Sequence, residues 1–371
     1  MNTTRHLDAT HSVLYQAPQG IPMRYFGWPT VARLTDGSLM AVASGFRLWH
    51  LCPFGRTVLW RSYDEGATWS EPSLLNDDPL DDRDAGVMSL PGGDALVSWF
   101  VSDLRSYLPK LPKEIQRDSA QVFAAYDEEI VRKSLGSFVR RIHADGTADA
   151  PIPVQVSAPH GPIRLHDGAI LYVGIPFGRV DDNGKLHFAM ENYLTNEVLA
   201  IRSDDEGRTW RTLGTIRPPA DDIHFYEPHA VELPDGRLLC AIRSDPTTWL
   251  SESADGGLTW TEPRIIIEEG YPPHLLRHSS GVLVLSYGYR KAPFGQRIAL
   301  SYDDGRSWET DWSLRDDGPA EFWDLGYPST VELSDGSLYT VYYQKIAGGD
   351  FLEASILASH WTLPSKEKIK A

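Results

Sequence analysis

The segment SDDEGRTW, Ser203 to Trp210, decides how the rest of the chain reads. It returns as SYDEGATW at 62–69, SADGGLTW at 253–260 and SYDDGRSW at 301–308, with a worn fifth copy, IHADGT, at 142–147. The fixed order Ser, Asp, Gly, Thr or Ser, Trp suits a hairpin turn that caps itself. Its Asp carboxylate accepts backbone N–H groups, its Gly takes the left-handed conformation, and its Trp packs beneath. Such a turn joins two short strands, so each copy marks the outer half of a repeated β unit.

The inner half repeats as well. Six stretches each read as strand, Gly-containing turn (Asp-Gly or Ser-Gly, and Gly-Gly in the second), strand: WPTVARLTDGSLMAVASG from Trp28, AGVMSLPGGDALVSWF from Ala85, GPIRLHDGAILYVG from Gly161, EPHAVELPDGRLLCAIR from Glu227, PPHLLRHSSGVLVLSYGYR from Pro272 and YPSTVELSDGSLYTVYY from Tyr327. Two hairpins make a four-stranded sheet, and six such sheets bury their faces only by packing radially. The expected fold is therefore all-β, a six-bladed β-propeller, as one domain over residues 11–362. The sixth unit lacks an outer strand after FLEASILASHWT, and HSVLYQAP near the amino end is the segment available to close the ring. Residues 104–135 interrupt the second unit. There Ile115, Phe123, Tyr126, Ile130 and Leu135 fall at loosely helical spacing, so a partial helix is expected, either a surface excursion or a rim or lid over the channel mouth. Residues 363–371 form a charged tail.

Lys and Arg number 35 against 51 Asp and Glu, a net charge of −16, which argues against a nucleic-acid or anionic-membrane surface. An anionic ligand has to meet a local basic pocket. Cys52 and Cys240 sit far apart in apolar contexts and read as buried reduced thiols. No metal-type Cys or His spacing occurs, so no metal or cofactor is expected. No run approaches the ~20 apolar residues of a membrane span, and the amino end lacks a signal-peptide core, so a soluble cytoplasmic protein is expected.

In a four-stranded antiparallel blade, the entry to strand one and the loop between strands two and three share one end, opposite the Asp-Gly-Trp turns. The entries bring Trp28, Asp84, His160, Glu227, His229, His274 and Tyr327 to that end. The loops bring Arg47, His50, Arg56, Arg179, Arg243, Arg290 and Arg297. Arginines gathered at one mouth of an acidic protein suit a carboxylate, sulfate or phosphate. Glu227, between Tyr226 and Pro228, is a carboxylate that burial makes costly unless it is paired or used.

These residues resemble the sialidase superfamily, whose members carry a six-bladed propeller with repeated Asp boxes, the turns described above. By that resemblance EPHAVELPDGRLLCAIR makes Glu227 the glutamate that activates a tyrosine nucleophile and Arg243 an arginine of a carboxylate-binding triad. YPSTVELSDGSLYTVYY likewise makes Tyr327 the nucleophile, and the blade-five loop YGYRKAPFGQRIALSYDDG offers either Arg290 or Arg297 as the third arginine. Two departures stand out. Gly27-Trp28-Pro29 replaces the Arg-Ile-Pro of the first blade, and RLWHLCPFGRTVLW, where the general-acid aspartate belongs, has no carboxylate. His50 or Asp84 would take the acid's place.

The resemblance implies an exo-acting glycoside hydrolase on a terminal carboxylate-bearing sugar, with a small oligosaccharide or glycoside as its partner. Arg47, Arg56, Arg179, His160, His229, His274 and Trp28 are further candidate substrate contacts. Two other readings use the same face. One is a lyase that eliminates across a uronate with a His or Tyr base, and the other is a non-catalytic glycan-binding propeller.

Overall fold

Six antiparallel sheets close into a ring in the structure, a computed structural model that describes residues 4–180, 186–188, 195–319, 322–346 and 348–364. Blade 1 holds Tyr25–Arg33, Leu39–Arg47, Arg56–Ser62 and Ser73–Asn76. Blade 2 holds Asp81–Ser89, Ala95–Ser102, Gly136–Ile142 and Ile152–Val154. In blade 3 the inner strand is split into Val156–Ser157 and Ile163–Arg164, ahead of Ile170–Pro176, Val198–Ser203 and Arg211–Ile216. Blade 4 holds Tyr226–Glu232, Leu238–Ser244, Thr247–Ser253 and Arg264–Ile267, and blade 5 holds Pro273–Arg277, Leu283–Tyr289, Gly295–Ser301 and Glu309–Arg315. Blade 6 takes Gly326–Glu332, Leu338–Gln344 and Ser355–Trp361 from the carboxyl side and Ala9–Tyr15 from the amino side. The last strand does come from HSVLYQAP, with His11 opposite Ser359. Just before it, Arg5–His6 pairs in parallel with the outer strand of blade 5.

Each sheet is covered on both faces, which is why strands such as LVLSYGY are buried at almost every position rather than at alternate ones. One apolar cluster fills each gap between neighbours. Leu239, Ala241 and Leu250 of blade 4 meet Leu275, Leu283 and Leu285 of blade 5, and Phe26, Trp28 and Trp60 of blade 1 meet Val341, Tyr343 and Ile356 of blade 6. Cys52 and Cys240 are free and buried.

The Asp-Gly-Trp turns form as their chemistry requires. Asp205 accepts from the Thr209 N–H at 2.8 Å and the Thr209 hydroxyl at 2.6 Å, and Gly207 has φ 89°. A Cβ on Gly207 would lie 3.0 Å from Leu96 of the neighbouring blade, so the turn also docks blade against blade. The worn copy IHADGT differs. Its His143 N–H reaches the Thr147 carbonyl and Asp145 accepts from Thr147 N–H, the arrangement of the first-hairpin turns, where Leu34 N–H reaches Ser38 O and Asp36 accepts from Ser38 N–H.

The interruption of blade 2 is more helical than its sequence suggests, with a 3-10 turn at Arg105–Lys110 and α-helices at Lys113–Ala124 and Glu128–Ser134. Leu104, Leu111, Ile115 and Phe123 form a small core of their own against Leu48, Trp49 and Leu51 of blade 1. Ile130 stays exposed. Among the described residues no helix is long and apolar enough to cross a membrane.

Candidate active site

Four inner strands enter the ring through the same distortion. The ladder slips between Gly27 and Thr30, Arg83 and Gly86, Tyr226 and His229, and Gly326 and Ser329. Within each slip stands a non-glycine residue in the left-handed region: Trp28 (φ 55°), Asp84 (49°), Glu227 (46°) and Tyr327 (51°). Such conformations cost roughly 1–3 kcal/mol each and cluster where function depends on them. A bulge of this kind re-aims its side chain, so one backbone device points four side chains toward the same mouth.

Two of them touch. Tyr327 Oη donates to Glu227 Oε1 at 2.5 Å, although the residues are 100 positions apart. Arg243 Nη1 donates to Glu227 Oε2 at 2.6 Å and to Tyr327 Oη at 3.4 Å, and its Nε is held by Asp245 at 2.7 Å. Burial, followed by the Glu227 charge, pushes the Tyr327 phenol well above its usual range, against the pull of Arg243. The resting phenol is neutral, with a carboxylate positioned to take its proton.

Around this pair lies a cleft of about 230 Å³ lined by His50, Arg83, Asp84, Arg243, Arg290 and Trp323, with Leu104 and Tyr107 of the helical insertion on its rim. That is below the ~300–1,000 Å³ of sites for drug-sized ligands. Arg290 packs over the rings of Tyr271 (4.8 Å) and Tyr327 (5.8 Å), and its Nε donates to the Leu325 carbonyl at 3.0 Å. Arg83 lies 4.5 Å over Trp28 and donates to the His50 carbonyl at 3.1 Å. Three guanidinium groups from blades 2, 4 and 5 thus meet at one cleft.

Asp84 is nearly buried, its Oδ1 has no hydrogen-bond partner among the described residues, and burial raises its carboxyl to about 7. Arg83 opposes that shift and Glu227 adds to it. His50 stands at the opening, its ring 5.0 Å from Trp28, with Nδ1 2.9 Å from Asp324 Oδ1.

Several candidate contacts lie elsewhere. Arg47 is fully buried and bound two-pronged to Asp81, at 2.5 and 2.8 Å, so it supports the loop rather than a ligand. Arg56 is paired with Asp77 at 2.9 Å, and Arg297 is turned to Ser313 and the Arg315 carbonyl in a separate groove on blade 5, which leaves Arg290 as the arginine at the cleft. Trp28 is 1% exposed and forms the wall behind the cleft, between Arg47 and Arg83. His160, His229 and His274 line a different cavity, the axial channel of about 760 Å³ that opens toward the inner-hairpin turns. His229 Nδ1 accepts from Leu275 N–H and His274 Nδ1 from Thr330 N–H, each bridging to the next blade, and burial drives the His229 imidazole down to about 3. They are neutral inter-blade ties. The Arg179 side chain lies outside the described residues.

Arg83, Asp324 and Trp323 are absent from the sequence reading. Arg83 had a signal, since it directly precedes Asp84 at a strand entry; Asp324 and Trp323 lie between recognisable repeats and had none.

A family model for a BNR repeat-like domain matches residues 156–340. No curated protein sequence matches the chain. Among solved structures, a protein of unknown function from Dyadobacter fermentans superposes with a TM-score of 0.71 at 22% identity, covering 95% of this chain and 98% of that one. A point mutant of the NanB sialidase of Streptococcus pneumoniae gives 0.66 at 12%, covering 95% and 70%. An intramolecular trans-sialidase from Ruminococcus gnavus, in complex with oseltamivir carboxylate, gives 0.60 at 13%, covering 95% and 97%. The chain thus carries a BNR repeat-like domain over residues 156–340, and its six-bladed propeller has the fold of the sialidases it superposes on.

Proposed function

We propose that the protein is an exo-acting glycoside hydrolase that releases a terminal carboxylate-bearing sugar. The observation that carries the reading is the 2.5 Å contact of Tyr327 Oη with Glu227 Oε1, bridged by Arg243. In the first step the phenol oxygen attacks the anomeric carbon, Glu227 takes the phenol proton, and the bond to the leaving oxygen breaks as that oxygen is protonated. A neutral phenol approaches a centre beside a carboxylate with less repulsion than an anionic nucleophile would meet. Arg83, Arg243 and Arg290 supply a fork-shaped cationic wall for that carboxylate. Water then displaces Tyr327 from the anomeric carbon, so the released sugar keeps its configuration.

The test is a panel of 4-nitrophenyl glycosides of N-acetylneuraminic, 3-deoxy-octulosonic, glucuronic and galacturonic acids. At least one should be hydrolysed with retention, and Tyr327→Phe should lower kcat by about 10³-fold or more. Full activity in Tyr327→Phe refutes the nucleophile. A product with new ultraviolet absorbance from a conjugated double bond would replace hydrolysis with elimination, and saturable binding without turnover would leave a glycan-binding propeller.

A further inference from the structure

We infer that His50 and Asp324 form the proton-transfer dyad of this site, with His50 protonating the leaving group and Asp324 as its positioning residue. The inference rests on the hydrolase reading above and fills the place of the absent acid on blade 1. Asp324 is 4% exposed and accepts three hydrogen bonds: from Tyr25 Oη at 2.7 Å, from Tyr343 Oη at 2.7 Å and from His50 Nδ1 at 2.9 Å. Burial disfavours its charge, yet His50 and the two phenols outweigh burial and hold the carboxyl down at about 2. An ionised carboxylate accepts only, so His50 presents Nδ1–H to it and Nε2 is the nitrogen left for other partners. The imidazole is steadied further by the Trp28 ring at 5.0 Å and Trp323 at 6.2 Å, and its backbone carbonyl by Arg47 and Arg83.

Position separates His50 from Asp84. The His50 side chain is 24% exposed at the mouth, where a departing aglycone must leave, whereas Asp84 is 7% exposed against Phe100 and Ala158 at the floor. In the first step Nε2–H of the imidazolium passes its proton to the leaving oxygen as the glycosidic bond breaks. In the second step the neutral Nε2 takes a proton from the incoming water while Glu227 returns its proton to Tyr327, which restores every group. Asp324 touches no reacting atom and acts through His50.

The experiment compares kcat/KM of His50→Gln, Asp324→Asn and Asp84→Asn on the 4-nitrophenyl and methyl glycosides of whichever panel sugar is turned over. Nitrophenolate leaves without a proton and methoxide does not. His50→Gln and Asp324→Asn should lose about 10²-fold or more on the methyl glycoside and under about threefold on the nitrophenyl one. Asn at 324 would offer an N–H to Nδ1 and reverse the imidazole tautomer, so its signature should match that of His50→Gln. Equal losses on both glycosides would mean a merely structural Asp324 and overturn the dyad while leaving the hydrolase intact. If His50→Gln alone keeps the selective loss, Asp324 is not the positioner; if Asp84→Asn shows it instead, Asp84 is the acid. Should Asp324→Asn fail to fold, Tyr343→Phe, which removes one donor to Asp324 and leaves its charge, should give a weaker form of the same selective loss, and no selectivity would count against the dyad. A wild-type protein inert on all four sugars overturns both readings.

Discussion

Replacing Asp81 by Asn should be among the most damaging single changes in the molecule. Asp81 is 1% exposed and holds the wholly buried Arg47 through Oδ1 at 2.5 Å and Oδ2 at 2.8 Å, while also accepting from Gly55 N–H and Arg83 Nη1. The substitution leaves the Arg47 guanidinium charged, out of water and without its counter-ion. Breaking a buried pair from one side costs roughly 3–5 kcal/mol. For a chain of 371 residues, unfolding entropy near Tm is about 0.8 kcal/mol/K, so a loss of about 4 kcal/mol lowers Tm by about 5 °C. Calorimetry measures that directly. The control removes both charges of the pair, Asp81→Leu with Arg47→Met, and should cost less than the single change because the wholly buried Arg47 charge goes with its counter-ion. Arg47 also donates to the Trp49 and His50 carbonyls, so Asp81→Asn should lower kcat/KM at temperatures where the protein is still folded. A Tm within about 1 °C of wild type, or a double variant less stable than the single one, would refute the reasoning.

Asp84 makes the fold pH-dependent in a direction opposite to ordinary paired carboxylates. Its folded value of about 7 lies above the unfolded 3.8, so the unfolded chain loses this proton first and stability falls as pH rises from about 4 to about 7. Asp84→Asn should therefore be more stable than wild type at pH 8 by about 3–5 °C and little different at pH 4, as melting curves at both will show. Arg243→Ala removes the donor that clamps Glu227 at 2.6 Å and should lower kcat/KM by about 10- to 150-fold, with Arg243→Lys recovering little because the two-pronged grip on Asp245 is lost. Asp205→Ala, in the turn that gave the fold away, should cost about 1–2 kcal/mol in denaturant titrations and leave kcat unchanged, since that turn lies at the opposite end from the cleft.

The ring was legible because its signals are local. Asp205, Gly207, Thr209 and Trp210 settle one turn within eight residues, and repetition of that turn supplies the architecture. That Glu227 and Tyr327 share one end of the ring was legible from their strand-entry positions. Arg47 misled for a physical reason. It ends a strand in the mouth loop, but whether an arginine there meets ligand or carboxylate depends on Asp81, 34 positions away in the next blade, and no local pattern encodes that pairing. Arg297 misled likewise, turned outward by Ser313 and the Arg315 carbonyl. The channel histidines were placed near the axis as expected, but their side chains serve neighbouring blades. Asp324 was invisible because its importance comes from Tyr25, 299 residues distant, and from Tyr343 and His50, which converge on it only in the closed ring.

The strand Ala9–Tyr15 carries an implication for biogenesis. Its partner, Ser355–Trp361, emerges from the ribosome some 350 residues later, so the amino-terminal strand stays unpaired until that segment has been made. Five blades can form as they are made, yet Trp28 of blade 1 and Tyr343 of blade 6 meet only when the ring closes between those blades. Assembly of the cleft thus waits on a slow, non-local contact. A nascent chain stalled before Ser355 would present a sticky strand edge and an unjoined amino-terminal segment, the two ingredients of exchange between neighbouring copies on a polysome.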